Sequence, residues 1–158
     1  MVDTTPYETA GLRVKPEWVG ADGWLKTVYY VPLFEISSDE VFEGFGLGAE
    51  YVEQRQGSFY TLEMRVRYFR GVTLDDPLNV SLQLLDYDEK RCHYFQELRH
   101  ETEGWLAATA EAMCMHVDMT LKRASPFPDD VLAKIDALYQ VHKSLPRSDL
   151  IGGAVGIS

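Results

Sequence analysis

The chain has 158 residues, 46% hydrophobic and 25% charged, the composition of one soluble globular domain large enough to bury a real core. Its 15 Lys+Arg stand against 25 Asp+Glu, a formal charge of −10. That balance argues against nucleic acid as a partner, because phosphate contacts need a local excess of cations, although one anionic ligand held by a few basic residues is compatible with it.

No run approaches the roughly 20 apolar residues of a membrane span, so no membrane association is expected. The first residues, Met1 to Pro6, carry neither the basic nor the apolar region of a secretory signal. Cys92 and Cys114 are too few for a disulfide framework, and a cytoplasmic location with both thiols reduced is the expectation.

In chain order, residues 1–10 are polar and read as a loose N-terminus. Leu12, Val14 and the pair Trp18-Val19 fit a short first strand, interrupted near Pro16. From Glu17 to Leu25 the pattern is a strand end, a tight bend at Asp22-Gly23 and the start of a helix. Such an arrangement aims unpaired backbone N–H groups and a carboxylate at one point. Residues 28–36 are apolar on nearly every side (Val28, Tyr29, Tyr30, Val31, Leu33, Phe34, Ile36), the pattern of a buried helix. Pro32 suits only a first turn, which predicts a helix start close to the Asp22-Gly23 bend. Ser37 and Glu40 have capping-box spacing, so a restart at Ser37 is the alternative; Gly44 and Gly46 mark the end.

The second half changes period. Tyr60, Leu62, Met64, Val66 and Tyr68 alternate with Thr61, Glu63, Arg65 and Arg67, which predicts a strand with one apolar face. Leu78, Val80, Leu82 and Leu84 alternate next. Residues 86–90 turn the chain, 91–100 form another run, 101–104 turn it again, and 105–117 form the longest run. Consecutive strands joined by short turns make a meander, which sets Cys92 nearly opposite Cys114. An amphipathic helix follows, with Val131, Ile135, Leu138 and His142 on one face, Pro126 and Pro128 before it and Pro146 after it. Residues 145–158 read as a tail. The order predicts a single α+β domain over residues 1–158: an antiparallel sheet wrapped around one central helix, with a further C-terminal helix.

Several stretches in this order resemble the hotdog-fold acyl-CoA thioesterases of the 4-hydroxybenzoyl-CoA thioesterase superfamily, in particular the group linked to carnitine and betaine breakdown. They are Glu17-Trp18-Val19, Tyr29-Tyr30, Gly46-Leu47-Gly48, Thr61-Leu62-Glu63 with Tyr68, and Asp88-x-Lys90-Arg91. Leu106-Ala107-Ala108-Thr109-x-Glu111, His116-Val117-Asp118 and Ser125-Pro126-Phe127-Pro128 complete the set. The resemblance implies an acyl-CoA substrate, no cofactor beyond the coenzyme A of that substrate, and a homodimer or homotetramer whose protomers pair edge to edge. It also implies chemistry in which backbone N–H groups at the central helix polarise the thioester carbonyl and a carboxylate acts as nucleophile or general base.

The family spells its active segment Asp-Tyr-Asn-Gly-His, and here Gly20 stands at the Asp position and Trp24 at the His position. Near the C-terminus the family often has Gly-Arg, where this chain has Gly152-Gly153. The remaining catalytic candidates are Asp22, two residues from the usual acid, and Glu63. Gly23, Trp24, Thr27 and Val28 are the candidates around the acyl group. Lys90 and Arg91, with Lys122 and Arg123, are the candidates for the coenzyme A phosphates. His116 and Asp118 point the same way from a strand, but a third metal ligand is not evident. Two readings stay open: a thioesterase with a displaced acid, and a hotdog protein that binds or otherwise processes an acyl thioester without hydrolysing it.

Overall fold

The alternating segments form strands as their patterns require. A computed structural model describes residues 5–157. Its strands are β1 (Tyr7–Leu12), β2 (Gly57–Tyr68), β3 (Leu78–Tyr87), β4 (Arg91–His100), β5 (Leu106–Asp118) and the short β6 (Arg123–Ala124). They make one antiparallel sheet in the order β1-β3-β4-β5-β2, with β6 added to β5. The helices are α1 (Tyr30–Gly44), α2 (Ala49–Arg55) and α3 (Asp129–His142). This is the hotdog fold, a curled sheet holding α1. Among the described residues no helix is long and apolar enough to cross a membrane.

The core lies between α1 and the inward face of the sheet. Leu33 and Phe34 are fully buried with Val72, Leu78, Val80 and Leu98, while Phe42 and Val41 join Leu82, Leu84, Tyr94 and Ala112. Alanines at 108, 110 and 112 on β5 keep that face flat enough for the helix to sit close. Gln96 of β4 donates to the Phe34 carbonyl at 2.8 Å and ties the helix to the sheet. Cys92 and Cys114 are directly opposite each other, buried and unlinked. Their mutual hydrogen bond and burial push the Cys92 thiol well above its ordinary range. The helix face predicted on α3 is real: Val131 and Ile135 are buried, and Leu84 N–H donates to His142 Nδ1 at 2.9 Å.

Several expectations are corrected. Within the expected loose N-terminus, residues 1–4 lie outside the described residues, but Tyr7 to Ala10 belong to β1 and pair with β3. The predicted strand at Trp18-Val19 is instead a short 3-10 turn at Pro16–Trp18 leading into a single bridge between Val19 and Leu25. Helical geometry begins at a 3-10 turn, Thr27–Tyr29, and α1 proper at Tyr30, several residues after the Asp22-Gly23 bend. The delay has a cause: Leu25 N–H donates to the Val72 carbonyl at 2.7 Å and Trp24 bridges Thr73, so residues 24–25 are extended against the loop after β2. Pro32 still falls in the first turn of α1.

No restart occurs at Ser37, because Glu40 is engaged elsewhere. Its carboxylate accepts from Tyr7 Oη at 2.9 Å and Thr9 Oγ1 at 2.8 Å, which fastens α1 to β1. Nor is α1 buried on all sides: Ile36 faces outward and Val28, just before it, is 68% exposed.

The alternation in β2 is broken by a bulge. Thr61 opposes Cys114 but Glu63 opposes Met113, so Leu62 is the extra residue. On one side of the bulge Phe59 turns inward and stacks on Phe42, 4.3 Å between ring centres. Tyr60, expected on the apolar face, turns to the outer face opposite Met115.

Candidate active site

The segment Gly20 to Thr27 forms a tight hairpin. Gly23 N–H donates to the Gly20 carbonyl at 3.0 Å and Gly20 N–H to the Trp24 carbonyl at 2.9 Å. Gly23 occupies φ +84°, where a side chain would be strained, so Gly is required at this turn position. Asp22 Oδ1 accepts from Trp24 N–H at 3.0 Å, an Asx contact that orients the carboxylate and leaves it exposed. Trp24 lies over Gly71, where an added Cβ would meet its ring at 2.4 Å. Half of Trp24 (49%) remains exposed.

A surface depression of about 650 Å³ is lined by Gly20, Asp22, Trp24, Leu25, Lys26 and Thr27. The helical segment starts beside it. Neither Lys26, before the 3-10 turn, nor Tyr29, before α1, contributes a side-chain cap. Tyr29 N–H donates to the Lys26 carbonyl at 2.9 Å, Tyr30 N–H to the Thr27 carbonyl, and Pro32 has no N–H, so the donors left at this start are those of Thr27 and Val28, which can receive a carbonyl oxygen that gains negative charge. Tyr68 fixes the start by donating to the Thr27 carbonyl at 3.2 Å and by edge contact with Tyr30 at 4.9 Å.

Of the candidates from sequence, the fold brings together Asp22, Trp24 and Thr27, with Gly23 at the apex of the bend and the exposed Val28 at the first helical turn. Glu63 lies elsewhere, on the outer face of β2. It lines a separate cavity of about 280 Å³ with Arg65, His93, Glu111, Gly152 and Gly153. Lys90 and Arg91 sit at the β3–β4 turn, and Arg91 opposes Met115, the residue that Tyr60 opposes from the other side. They are thus at the far end of the sheet from the α1 start within one protomer. Asp88 accepts from the backbone N–H groups of Lys90 and Arg91 and from the Arg91 guanidinium at 2.6 Å. Burial alone would raise the Asp88 carboxyl, but these bonds outweigh it and hold it below the usual range.

The outer-face cavity contains a network that the residue pattern did not reveal. Glu111 accepts from Gly152 N–H at 2.7 Å and Arg65 Nη2 at 3.0 Å, and its other oxygen contacts His93 Nε2 at 2.9 Å. Arg65 also donates to the Gly153 carbonyl at 2.6 Å and Arg67 to that of Gly152 at 3.0 Å. Burial works to raise the Glu111 carboxyl; the Gly152 N–H, His93 and Arg65 together bring it below its ordinary value. The tail is therefore clamped at the position where the resembling family has Gly-Arg. The meander register offered one signal: Cys92 opposite Cys114 sets His93 opposite Met113, on the same face as Glu111.

The curled antiparallel sheet around α1 defines a protein of the hotdog class. A family model described as the Thioesterase-like superfamily matches residues 14–135, and the chain belongs to that family. The chain is 32% identical over 153 residues to a betainyl-CoA thioesterase of Pseudomonas aeruginosa, covering 97% of this chain and 94% of that protein. It is 34% identical over 151 residues to an L-carnitine dehydrogenase/betainyl-CoA thioesterase of Rhizobium meliloti, with 96% of this chain covered but only 30% of the longer relative. Among solved structures, a Staphylococcus aureus protein in complex with CoA superposes with a TM-score of 0.90 at 25% identity, covering 97% of this chain and 96% of that one. A DHNA-CoA thioesterase from Staphylococcus aureus shares the fold at a TM-score of 0.73 and 18% identity, covering 84% of this chain and 92% of that one.

Proposed function

We propose that this protein hydrolyses acyl-CoA thioesters, with the thioester carbonyl at the start of α1 and Asp22 as the reacting carboxylate. The observation that carries the reading is the uncapped helix start opening on the depression beside Asp22. Backbone N–H groups there stabilise the oxyanion as it forms. Asp22 takes a proton from a water molecule whose oxygen attacks the carbonyl carbon; the C–S bond then breaks and the proton passes to the departing sulfur. Glu63 enters only if a partner protomer brings it across an interface, and the reading includes a homodimer, or a tetramer built from it. Its support is β2, a 12-residue strand paired only with β5 among the described residues, beside the exposed Val28, Leu62, Tyr68 and Phe69.

The acyl group is small or medium, and betainyl-CoA is the first compound to test, given the 32% identity to a betainyl-CoA thioesterase. A betainyl group carries a quaternary ammonium, which aromatic faces attract, and Trp24 and Tyr68 both expose rings near the α1 start. The reading places the protein in the cytoplasm and requires no cofactor beyond the coenzyme A of the substrate.

A second reading is favoured by Gly20 and Trp24, which stand where the resembling family keeps its acid and its His: the protein binds acyl-CoA without hydrolysing it. Hydrolysis measured across acyl-CoAs from betainyl to medium-chain acyl groups decides between them. Turnover of at least one, lost in Asp22→Asn, supports the first reading; binding without turnover of any supports the second.

A further inference from the structure

After α3 the chain runs back across the outer face of the sheet. Arg147 donates to the Leu85 carbonyl of β3 at 2.6 Å, and Gly152 N–H to Glu111 of β5 at 2.7 Å. Arg67 and Arg65 of β2 then hold the Gly152 and Gly153 carbonyls at 3.0 and 2.6 Å. With strands in the order β1-β3-β4-β5-β2, this segment travels toward the β2 edge and reaches it level with Arg65, which opposes Glu111. Beyond Gly153 its apolar side chains, Val155 and Ile157, are almost wholly exposed. The segment covers only the polar half of the outer face. The other half, where β2 begins and β5 ends, holds a cavity of about 430 Å³ walled by Tyr60, Met115, Val117 and Met119. The bulge at Leu62 turns Tyr60 out opposite Met115, and both Tyr60 and Met119 stay exposed. Asp118, Lys122 and Arg123 also line the cavity, so its charges carry both signs and select neither an anion nor a cation. What lacks a cover is the apolar wall.

We propose that this cavity receives the apolar tail, residues 154–157, of a second copy of the chain, with Val155 and Ile157 against its apolar wall. The tail does not reach the cavity of its own protomer. Arg65 and Tyr60 are about 16 Å apart along β2 at about 3.3 Å per residue, whereas four extended residues span about 13 Å. A partner's cavity is nearer. The β2 edge away from β5 is unpaired among the described residues. Two-fold antiparallel pairing of that edge about the middle of Gly57–Tyr68 sets Arg65 opposite the partner subunit's Tyr60. Neighbouring strands lie about 4.8 Å apart, so a tail leaving β2 crosses two spacings, about 10 Å, to lie over the partner's β2 and β5. By the same symmetry the exchange is reciprocal, and each copy lends a tail and accepts one. The proposal rests on the homodimer of the reading above and is independent of whether the α1 start hydrolyses anything.

Sedimentation equilibrium of the full chain and of Val155→Asp/Ile157→Asp tests it first. Both side chains project into solvent from the folded protomer, so the substitutions remove little contact within it. Loss of two buried apolar side chains from the dimer should raise its dissociation constant about tenfold or more. An unchanged constant overturns the proposal. The second measurement oxidises Met119→Cys/Ile157→Cys with diamide; the native Cys92 and Cys114 are buried and do not compete. A disulfide between protomers is expected, seen as a covalent dimer that also forms when Met119→Cys and Ile157→Cys chains are mixed. No link, or a link within one protomer, overturns the proposal. So does a link between two Met119→Cys chains with Ile157→Cys left unlinked, which would set two cavities face to face. A parent that sediments as a monomer ends the homodimer reading and the proposal with it, whereas a dimer indifferent to the tail variants ends the proposal alone.

Discussion

Around Asp22 the protein leaves a carboxylate exposed with one backbone donor; around Glu111 it surrounds a carboxylate with an arginine, a histidine and a backbone N–H. The first group faces a depression beside an uncapped helix start, and the second holds down the chain's own tail. A carboxylate engaged through both oxygens, as Glu111 is by three contacts, orders structure and leaves little of itself for a water or an acyl carbon. A carboxylate oriented through one oxygen keeps the other available. On the proposed function, the two regions divide the acidic groups into a reactive and a clamping class, and the division can be broken by experiment.

The largest effect is expected at the α1 start. Asp22→Asn preserves the bend while removing the charge, and kcat should fall about 10²–10⁴-fold, as for loss of a positioned acid or base. Glu63→Gln should cost less, because Glu63 lines a separate cavity on the outer face of β2. Full activity in both variants would falsify the carboxylate mechanism.

The next experiment moves the acid back to the family's position. Gly20 does not hold a positive φ, so the backbone accepts a side chain there, but an added Cβ would lie 3.0 Å from Asp22 Oδ1. Gly20→Asp alone sets two carboxylates together, which raises the pKa of one of them and obstructs the other. The coherent variant is Gly20→Asp/Asp22→Asn/Trp24→His, which rebuilds the Asp-x-Asn-Gly-His pattern. It should recover activity over Asp22→Asn by at least tenfold, about 1.4 kcal/mol of transition-state stabilisation. No recovery, in a variant that still folds, would show that the surroundings of Trp24 have diverged along with the acid.

At the clamp the expectation is stability rather than rate. Glu111→Ala leaves Arg65, His93 and Gly152 N–H without their shared acceptor in a half-buried setting, a loss of about 1–3 kcal/mol. Denaturant midpoints should fall, and residues 150–153 should become sensitive to limited proteolysis, with kcat per folded molecule retained. A collapse of kcat without loss of stability would transfer Glu111 to the reactive class.

The strands and the meander register were legible because each depends on local alternation, and the Cys92–Cys114 pairing followed from turn lengths. The bulge in β2 was not, because the inserted residue, Leu62, is itself apolar and continues the alternating pattern. The delayed helix start depends on Trp24 and Leu25 pairing with residues 72–73, nearly fifty positions away, which no local pattern displays. The Asp22-Gly23 bend was readable from its dipeptide, whereas α2 was missed although the helix formers of Ala49–Arg55 gave a local signal. The Glu111 clamp needed the tail to fold back across the sheet, and only its His93 arm followed from register.

The smallest effect concerns pH, and it guards the comparison against a false reading, since acid can lower activity by titrating the site or by unfolding the protein. His116 is buried on β5; its Nδ1 donates to the Ser125 carbonyl at 3.0 Å, which leaves Nε2 to accept from Tyr51 Oη at 2.6 Å in the neutral ring. Burial lowers its pKa from 6.5, and the pull of the Ser125 carbonyl and Asp118 in the other direction does not cancel this. A group whose folded pKa is depressed binds its proton more readily in the unfolded chain. Stability is therefore full above about pH 6.5 and declines as the pH falls from there toward the folded value. Tyr51→Phe removes the donor to the neutral ring and should cost about 0.5–1.5 kcal/mol at pH 8. With the Nε2 contact gone, protonation is less disfavoured, so the variant's deficit should shrink toward pH 5. Urea midpoints of both proteins at pH 8, 6.5 and 5 measure this. A deficit that grows on acidification would mean that His116 is charged in the folded state. Acid loss of hydrolysis would then be assigned to the Asp22 site only where it exceeds the fraction unfolded.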